Sequence, residues 1–146
     1  MPMNKLLMLG AFGLFAVQAM GASEGPSEPE LHTARCVAAL EVNTEELAAQ
    51  VKAGRADLEP LLLDRLKYGA VFIGDSYIRG ERDEGRAKRL LEEALEAQKT
   101  LPKPELVARL SSCVQEGAKL LATADFIRLS VVSHLARKRM RKLLDG

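Results

Sequence analysis

Tryptophan is absent, and aromatic residues are scarce: four Phe and two Tyr in 146 residues. Any core must therefore be aliphatic, built from the Leu, Ala and Val that fill the apolar positions. Histidine is nearly absent too. His32 and His134 stand far apart in the chain, and neither lies in a ligand-spaced cluster, so the sequence proposes no metal ligands and no cofactor. There is no Cys-x-x-Cys, which excludes the usual dithiol redox motif. The two glycine-bearing stretches, Gly74-Asp75-Ser76 and Gly80 to Gly85, lack the glycine and lysine spacing of a phosphate-binding loop. Excess charge is missing as well, the formal net charge being +1; nucleic acid is not the partner expected in the compartment read below. Paired carboxylates occur at Glu45-Glu46 and Glu92-Glu93, on polar helix faces where solvation accounts for them.

One long apolar run is present. Leu6 to Ala19 spans 14 residues, preceded by Lys5 and followed by the small residues Ala19, Gly21 and Ala22. That order is a secretory signal peptide over residues 1–22, shorter than the roughly 20 residues of a membrane span. An uncleaved anchor is the alternative. The first cysteine, Cys36, is too distant from the boundary to carry a lipid. The expectation is a soluble exported protein, periplasmic or secreted. Residues 23–29 read as a disordered Pro- and Glu-rich leader, and residues 30–146 as a single helical domain.

Apolar periodicity divides that domain into five helices. The first runs from about Glu30 to Ala53 with Cys36, Leu40, Leu47 and Val51 on one face, and continues through a possible capping box at Asn43-Thr44-Glu45-Glu46. The second follows Asp57 as N-cap and carries Leu62, Leu66, Gly69, Ile73 and Tyr77, with an apolar circumference wide enough to be central in a bundle. The third, about Asp83 to Thr100, buries a narrow stripe of Ala87, Leu90, Leu91 and Ala94. Pro102 and Pro104 open the fourth. The fifth starts at Asp125 and carries Phe126, Leu129, Ser133, Ala136, Met140 and Leu143. The last two are separated by a turn at residues 122–124, since one helix of about 40 residues would be hard to bury.

Two cysteines in an exported chain form a disulfide most simply, and Cys36 and Cys113 both sit on apolar faces. Two buried thiols are the alternative. A bond between the first and fourth helices requires the chain to fold back on itself. The fold class is therefore all-α: a compact bundle of about five helices with one repeat-like hairpin, stapled by one disulfide.

Two resemblances lie between residues 66 and 97. Ala70, Ile73, Gly74, Tyr77, Gly80, Ala87, Leu91 and Ala94 resemble a single tetratricopeptide repeat of the Sel-like kind. The resemblance implies two antiparallel helices joined at Gly80, approaching closely at Gly74 and Ala87. The spacing from Tyr77 to Ala87 departs by one residue, the closing proline comes late as Pro102, and there is one copy. The block Val71 to Gly80 (VFIGDSYIRG) resembles the first motif of the GDSL-type hydrolases, which implies a strand ending at a nucleophilic Ser76. That family's Asp-x-x-His base has its only counterpart at His134, which Val131 precedes in place of the Asp.

The function expected first is an exported protein–protein interaction module, an adaptor or an inhibitor- or immunity-like protein meeting another envelope protein. It uses no catalytic residues. A hydrolase built on Ser76 is the enzyme alternative. The third reading is a protein that associates with an anionic lipid or polysaccharide surface. The partner-facing residues expected are Arg137, Lys138, Arg141 and Lys142, with Tyr77 and Arg79 bordering them. From Arg128 onward the chain holds six Lys or Arg against Asp145 alone, which makes a directional field. The exported form should begin between Met20 and Ser23; intact-mass measurement checks this, and a mass that retains Met1 overturns it.

Overall fold

The computed structural model describes residues 25–146. The expected signal peptide and the first two leader residues lie outside them. Five α-helices follow one another: α1 (Glu28–Lys52), α2 (Glu59–Ile78), α3 (Glu84–Gln98), α4 (Lys103–Ala122) and α5 (Phe126–Asp145), with a 3-10 turn at Ala56–Leu58 before α2. The described residues contain no strand. None of their helices is long and apolar enough to cross a membrane.

Local chemistry sets the helix ends. Ser27 and Glu30 form a reciprocal capping box: the Ser27 hydroxyl accepts from the Glu30 N–H at 3.2 Å, and the Glu30 carboxylate accepts from the Ser27 N–H at 3.3 Å. That box starts α1 two residues before the expected point and draws Ser27, Glu28 and Pro29 out of the leader. Asp83 and Asp125 cap α3 and α5, accepting from the Arg86 and Arg128 N–H groups. Asp57 does not cap α2. It sits in the 3-10 turn, where its carboxylate accepts two hydrogen bonds from Arg55. Gly54 and Gly80 close α1 and α2 at φ of 113° and 98°, the left-handed region where a side chain is strained. Helix α1 runs unbroken past Asn43-Thr44, where the buried Thr44 hydroxyl donates back to the Glu41 carbonyl and caps nothing. The turn at residues 123–125 separates α4 from α5, as expected.

Helix α1, and not α2, is the centre of the bundle. It packs against all four other helices, whereas α3 rests on α1. The reason lies in residue size. Ala34, Ala38, Ala39 and Ala48 are buried on several sides of α1 and let neighbours come close from each. The α2 sequence is more apolar than that of α1, but its larger residues Ile73, Tyr77 and Ile78 stay exposed. Three apolar clusters hang on α1. Cys36 and Leu40 meet Phe72 and Cys113; Ala34 and Ala38 meet Ala94; Leu47 and Ala48 meet Leu62 and the end of α5. Between α1 and α3, the buried Gln98 amide donates to the Ala38 carbonyl at 3.2 Å.

The Cys36–Cys113 disulfide is present, with Cα atoms 5.3 Å apart across α1 and α4. A loop of 77 residues closed in this way removes roughly 4–5 kcal/mol of unfolded-state entropy in the chain-entropy picture. Close packing by glycine falls on the stripe of α4 that periodicity turns toward the core. Gly117, on the same face of α4 as Cys113, meets Tyr68 of α2 so tightly that an added Cβ would stand 2.7 Å from the Tyr68 Cβ. Gly74, expected to be a close contact, has nothing within 4 Å of such a Cβ. The two glycines should respond oppositely to alanine. Gly117→Ala collides with an atom tied to backbone and should cost roughly 1–3 kcal/mol. Gly74→Ala should add about 0.5–1 kcal/mol from helix propensity. Chemical denaturation followed by circular dichroism measures both.

Candidate functional site

The uncovered face of α2 is the floor of a groove. Gly69, Ala70 and Gly74 recur at helical spacing on that face, and their small size leaves space above the helix. Val37 and Leu40 of α1 close one side. Ile127, Val131 and Leu135 of α5 close the other. The groove holds about 630 Å³ and is lined mostly by carbon. A second depression of about 570 Å³ continues it toward the α2–α3 turn, sharing Val37, Ile73, Tyr77 and Leu91. These volumes lie within the range of ordinary ligand and peptide clefts.

The apolar lining is unusually open to solvent. Ile73 is 58% exposed, Val131 53% and Ile127 74%, with Phe126 beside it at 82%. Isolated apolar residues on a surface are common, whereas these come from two facing helices and line one groove. The residues of the single-repeat resemblance thus have another use here. Ala70, Ile73, Gly74 and Tyr77 shape this open groove, because α3 lies against α1 and leaves that part of α2 bare.

Charged groups stand at the rim. Arg65 donates to the Asn43 side chain at 3.0 Å. Arg128 approaches Asp75 at 3.9 Å. Arg139 and Glu41 face the groove from α5 and α1. Burial pushes the Glu41 carboxyl above the usual carboxylate range, with Glu45 repelling it further and Arg139 opposing both. The cation set expected from sequence is partly brought together. Arg137, Lys138, Arg141 and Lys142 are all exposed near the end of α5. At 100° per residue, Lys138 and Lys142 prolong the row Ile127, Val131, Leu135, while Arg137 and Arg141 lie further round the helix.

Tyr77 and Arg79 do not border those cations. Helices α2 and α5 run antiparallel: Leu62 shares a cluster with Met140 and Leu143, while Tyr77 and Ile78 line the groove beside Ile127. Ten residues of helix, about 15 Å, separate Ile127 from Arg137. Tyr77 forms the opposite end of the groove, with the Arg82 guanidinium 4.7 Å from its ring centre. Arg79 is already engaged by Asp75, by Glu81 at 3.1 Å and by the Thr33 hydroxyl at 3.0 Å. Nor does Ser76 end a strand. It lies in the last turns of α2, where its hydroxyl donates to Glu81, and His134 is exposed on α5.

Sequence reading missed one cluster. His32, Cys36 and Glu116 bring donor atoms within 4.8 Å of one another, although no metal-ligand spacing is visible along the chain. The signal was there in two pieces, His32 one turn before Cys36 and Cys113 one turn before Glu116, and only the packing of α1 on α4 with its disulfide joins them.

No protein-family model, curated protein or solved structure matches the chain.

The raised Glu41 carboxyl has a consequence for stability. Its folded state holds a proton more tightly than the unfolded chain does, so stability falls as pH rises from the ordinary carboxylate range through the raised value. Glu41→Gln removes that penalty. It should raise the thermal midpoint at neutral pH, and the gain should vanish in acid where both states are protonated; calorimetry across pH checks the sign.

Proposed function

We propose that this protein is an exported interaction module that holds an amphipathic helix of another envelope protein in the groove between α1, α2 and α5. The observation that carries this reading is the exposed apolar row Ile127, Val131, Leu135 facing Ile73 and Tyr77 across about 630 Å³ of open groove. A helix presenting apolar residues at i, i+3, i+4 and i+7 has the width and periodicity to fill such a groove. The cations at one end choose its polarity. Lys138 and Lys142 continue the apolar row and Arg139 enters the groove beside it, so the bound helix carries acidic residues at that end. Those charges set orientation and association rate more than affinity. An adaptor or an inhibitor-like role follows from the same contact. A buried disulfide accords with an oxidising compartment such as the periplasm or the exterior.

The test uses a synthetic leucine-rich amphipathic helix with glutamates at one end, labelled for fluorescence anisotropy. Val131→Glu with Leu135→Glu should weaken binding at least about tenfold, a loss of 1.4 kcal/mol or more. Lys138→Glu with Lys142→Glu should slow association and flatten its salt dependence, while the same change at the exposed Arg89 of α3 and Lys119 of α4 should not. Equal binding by the Val131/Leu135 variant overturns the reading. Salt-sensitive binding to phosphatidylglycerol vesicles, lost in the lysine variant but kept in the Val131/Leu135 variant, would overturn it in favour of surface association.

A further inference from the structure

His32 and Cys36 lie one turn apart on α1, and Cys113 and Glu116 one turn apart on α4, so each pair shares a helix face. The two faces meet. His32 Nε2 is 2.6 Å from Glu116 Oε2 and 3.8 Å from Cys36 Sγ. Cys113 Sγ, bonded to Cys36 Sγ, lies next to this group of three donors and needs to turn toward them once the bond is opened. The geometry points to a zinc site that exists only in the reduced protein, with His32, Cys36, Cys113 and Glu116 as its ligands.

The donor set suits that metal. Zinc takes four ligands in a tetrahedron and accepts thiolate, imidazole and carboxylate together. Bonds of about 2.0–2.3 Å place neighbouring donors about 3.2–3.8 Å apart. The His32–Cys36 separation already fits. His32 and Glu116 need to part by less than about 1 Å to reach that spacing, and the sulfurs need to be released from each other. While they are bonded, they offer no thiolate, and only the imidazole and carboxylate remain. Access and orientation are provided as well. Both cysteines are buried, but His32 and Glu116 are half exposed at the mouth of the site. The His32 ring packs edge-on against Phe72 with centres 6.4 Å apart, which restrains its direction.

The chemistry closes with an external dithiol as reductant. The dithiol supplies two electrons and two protons to the Cys36–Cys113 bond, leaving as its own cyclic disulfide, and the protein gains two thiols. Zinc then displaces both thiol protons. The metal holds the reduced chain together at the point where the disulfide held the oxidised one, so α1 and α4 stay joined in either state. The site lies apart from the groove and does not rest on the reading given for it.

The experiment reduces the protein with a phosphine, removes the reductant without oxygen and titrates Co²⁺ and Zn²⁺ against a chromogenic chelator. One metal should bind per reduced chain, with cobalt–thiolate charge-transfer and tetrahedral ligand-field bands, and none to the oxidised chain. His32→Ala and Glu116→Ala should each weaken affinity about tenfold or more, equivalent to at least 1.4 kcal/mol. Circular dichroism accompanies each titration; if reduction alone lowers helix content, Zn²⁺ should restore it. The proposal fails if reduced protein binds no more metal than Cys36→Ser/Cys113→Ser. It also fails if His32→Ala and Glu116→Ala bind with unchanged affinity, which would mean two thiols acting alone.

Discussion

The packing of four helices around α1 is the constraint on which the rest of the molecule depends. A helix can accept neighbours on most of its circumference only if its side chains are small where they approach. The alanines of α1 meet that condition, and Leu40, Leu47 and Cys36 fill the spaces between. The disulfide then fixes α4 to α1, and Gly117 lets the same face of α4 settle onto Tyr68 of α2. One covalent bond and one missing methylene therefore set the relation of three helices. Small proteins with few aromatics have little burial to spare, and a cross-link of this kind offsets the deficit.

The groove is the complement of that arrangement. Because α3 is held against α1, in part by the Gln98–Ala38 hydrogen bond and the 2.7 Å Arg86–Glu30 ion pair, it does not cover α2. The Arg86 guanidinium also holds the Glu30 carboxyl below the usual carboxylate range. Helix α5 leans against the start of α2 through Leu62, Met140 and Leu143. Toward the other end of α2, Gly69, Ala70 and Gly74 leave the two helices with open space between them. The same sequence that reads as a tight helix–helix contact in one packing is an open trough in another. What differs is the presence or absence of a neighbour.

The charged residues show a similar division of labour. Arg79, Asp75 and Glu81 satisfy one another near the end of α2 and contribute to closing that turn. Lys138 and Lys142 face solvent as a continuation of an apolar row. Those two lysines are far more available to a partner than Arg79, although all three look alike in a charge count. Availability is decided by which acidic groups stand nearby in space.

By itself the sequence determined the class of the fold, the five helices, most of their ends and the pairing of its two cysteines. These follow from local chemistry: apolar periodicity, Asp83 and Asp125 at helix starts, glycines at helix ends, and the arithmetic of two cysteines on inward faces. Tertiary structure alone decided which helix is central, because centrality depends on side-chain size on several faces at once and not on total apolarity. It decided that Gly117 is the tight glycine and Gly74 the open one, since a missing Cβ matters only against what stands opposite. It placed Tyr77 and the cations of α5 at opposite ends of one groove, because antiparallel packing sets such distances and sequence separation does not. It also joined His32 and Cys36 to Cys113 and Glu116, two short spacings that carry no message until the packing of α1 on α4 with its disulfide brings them together.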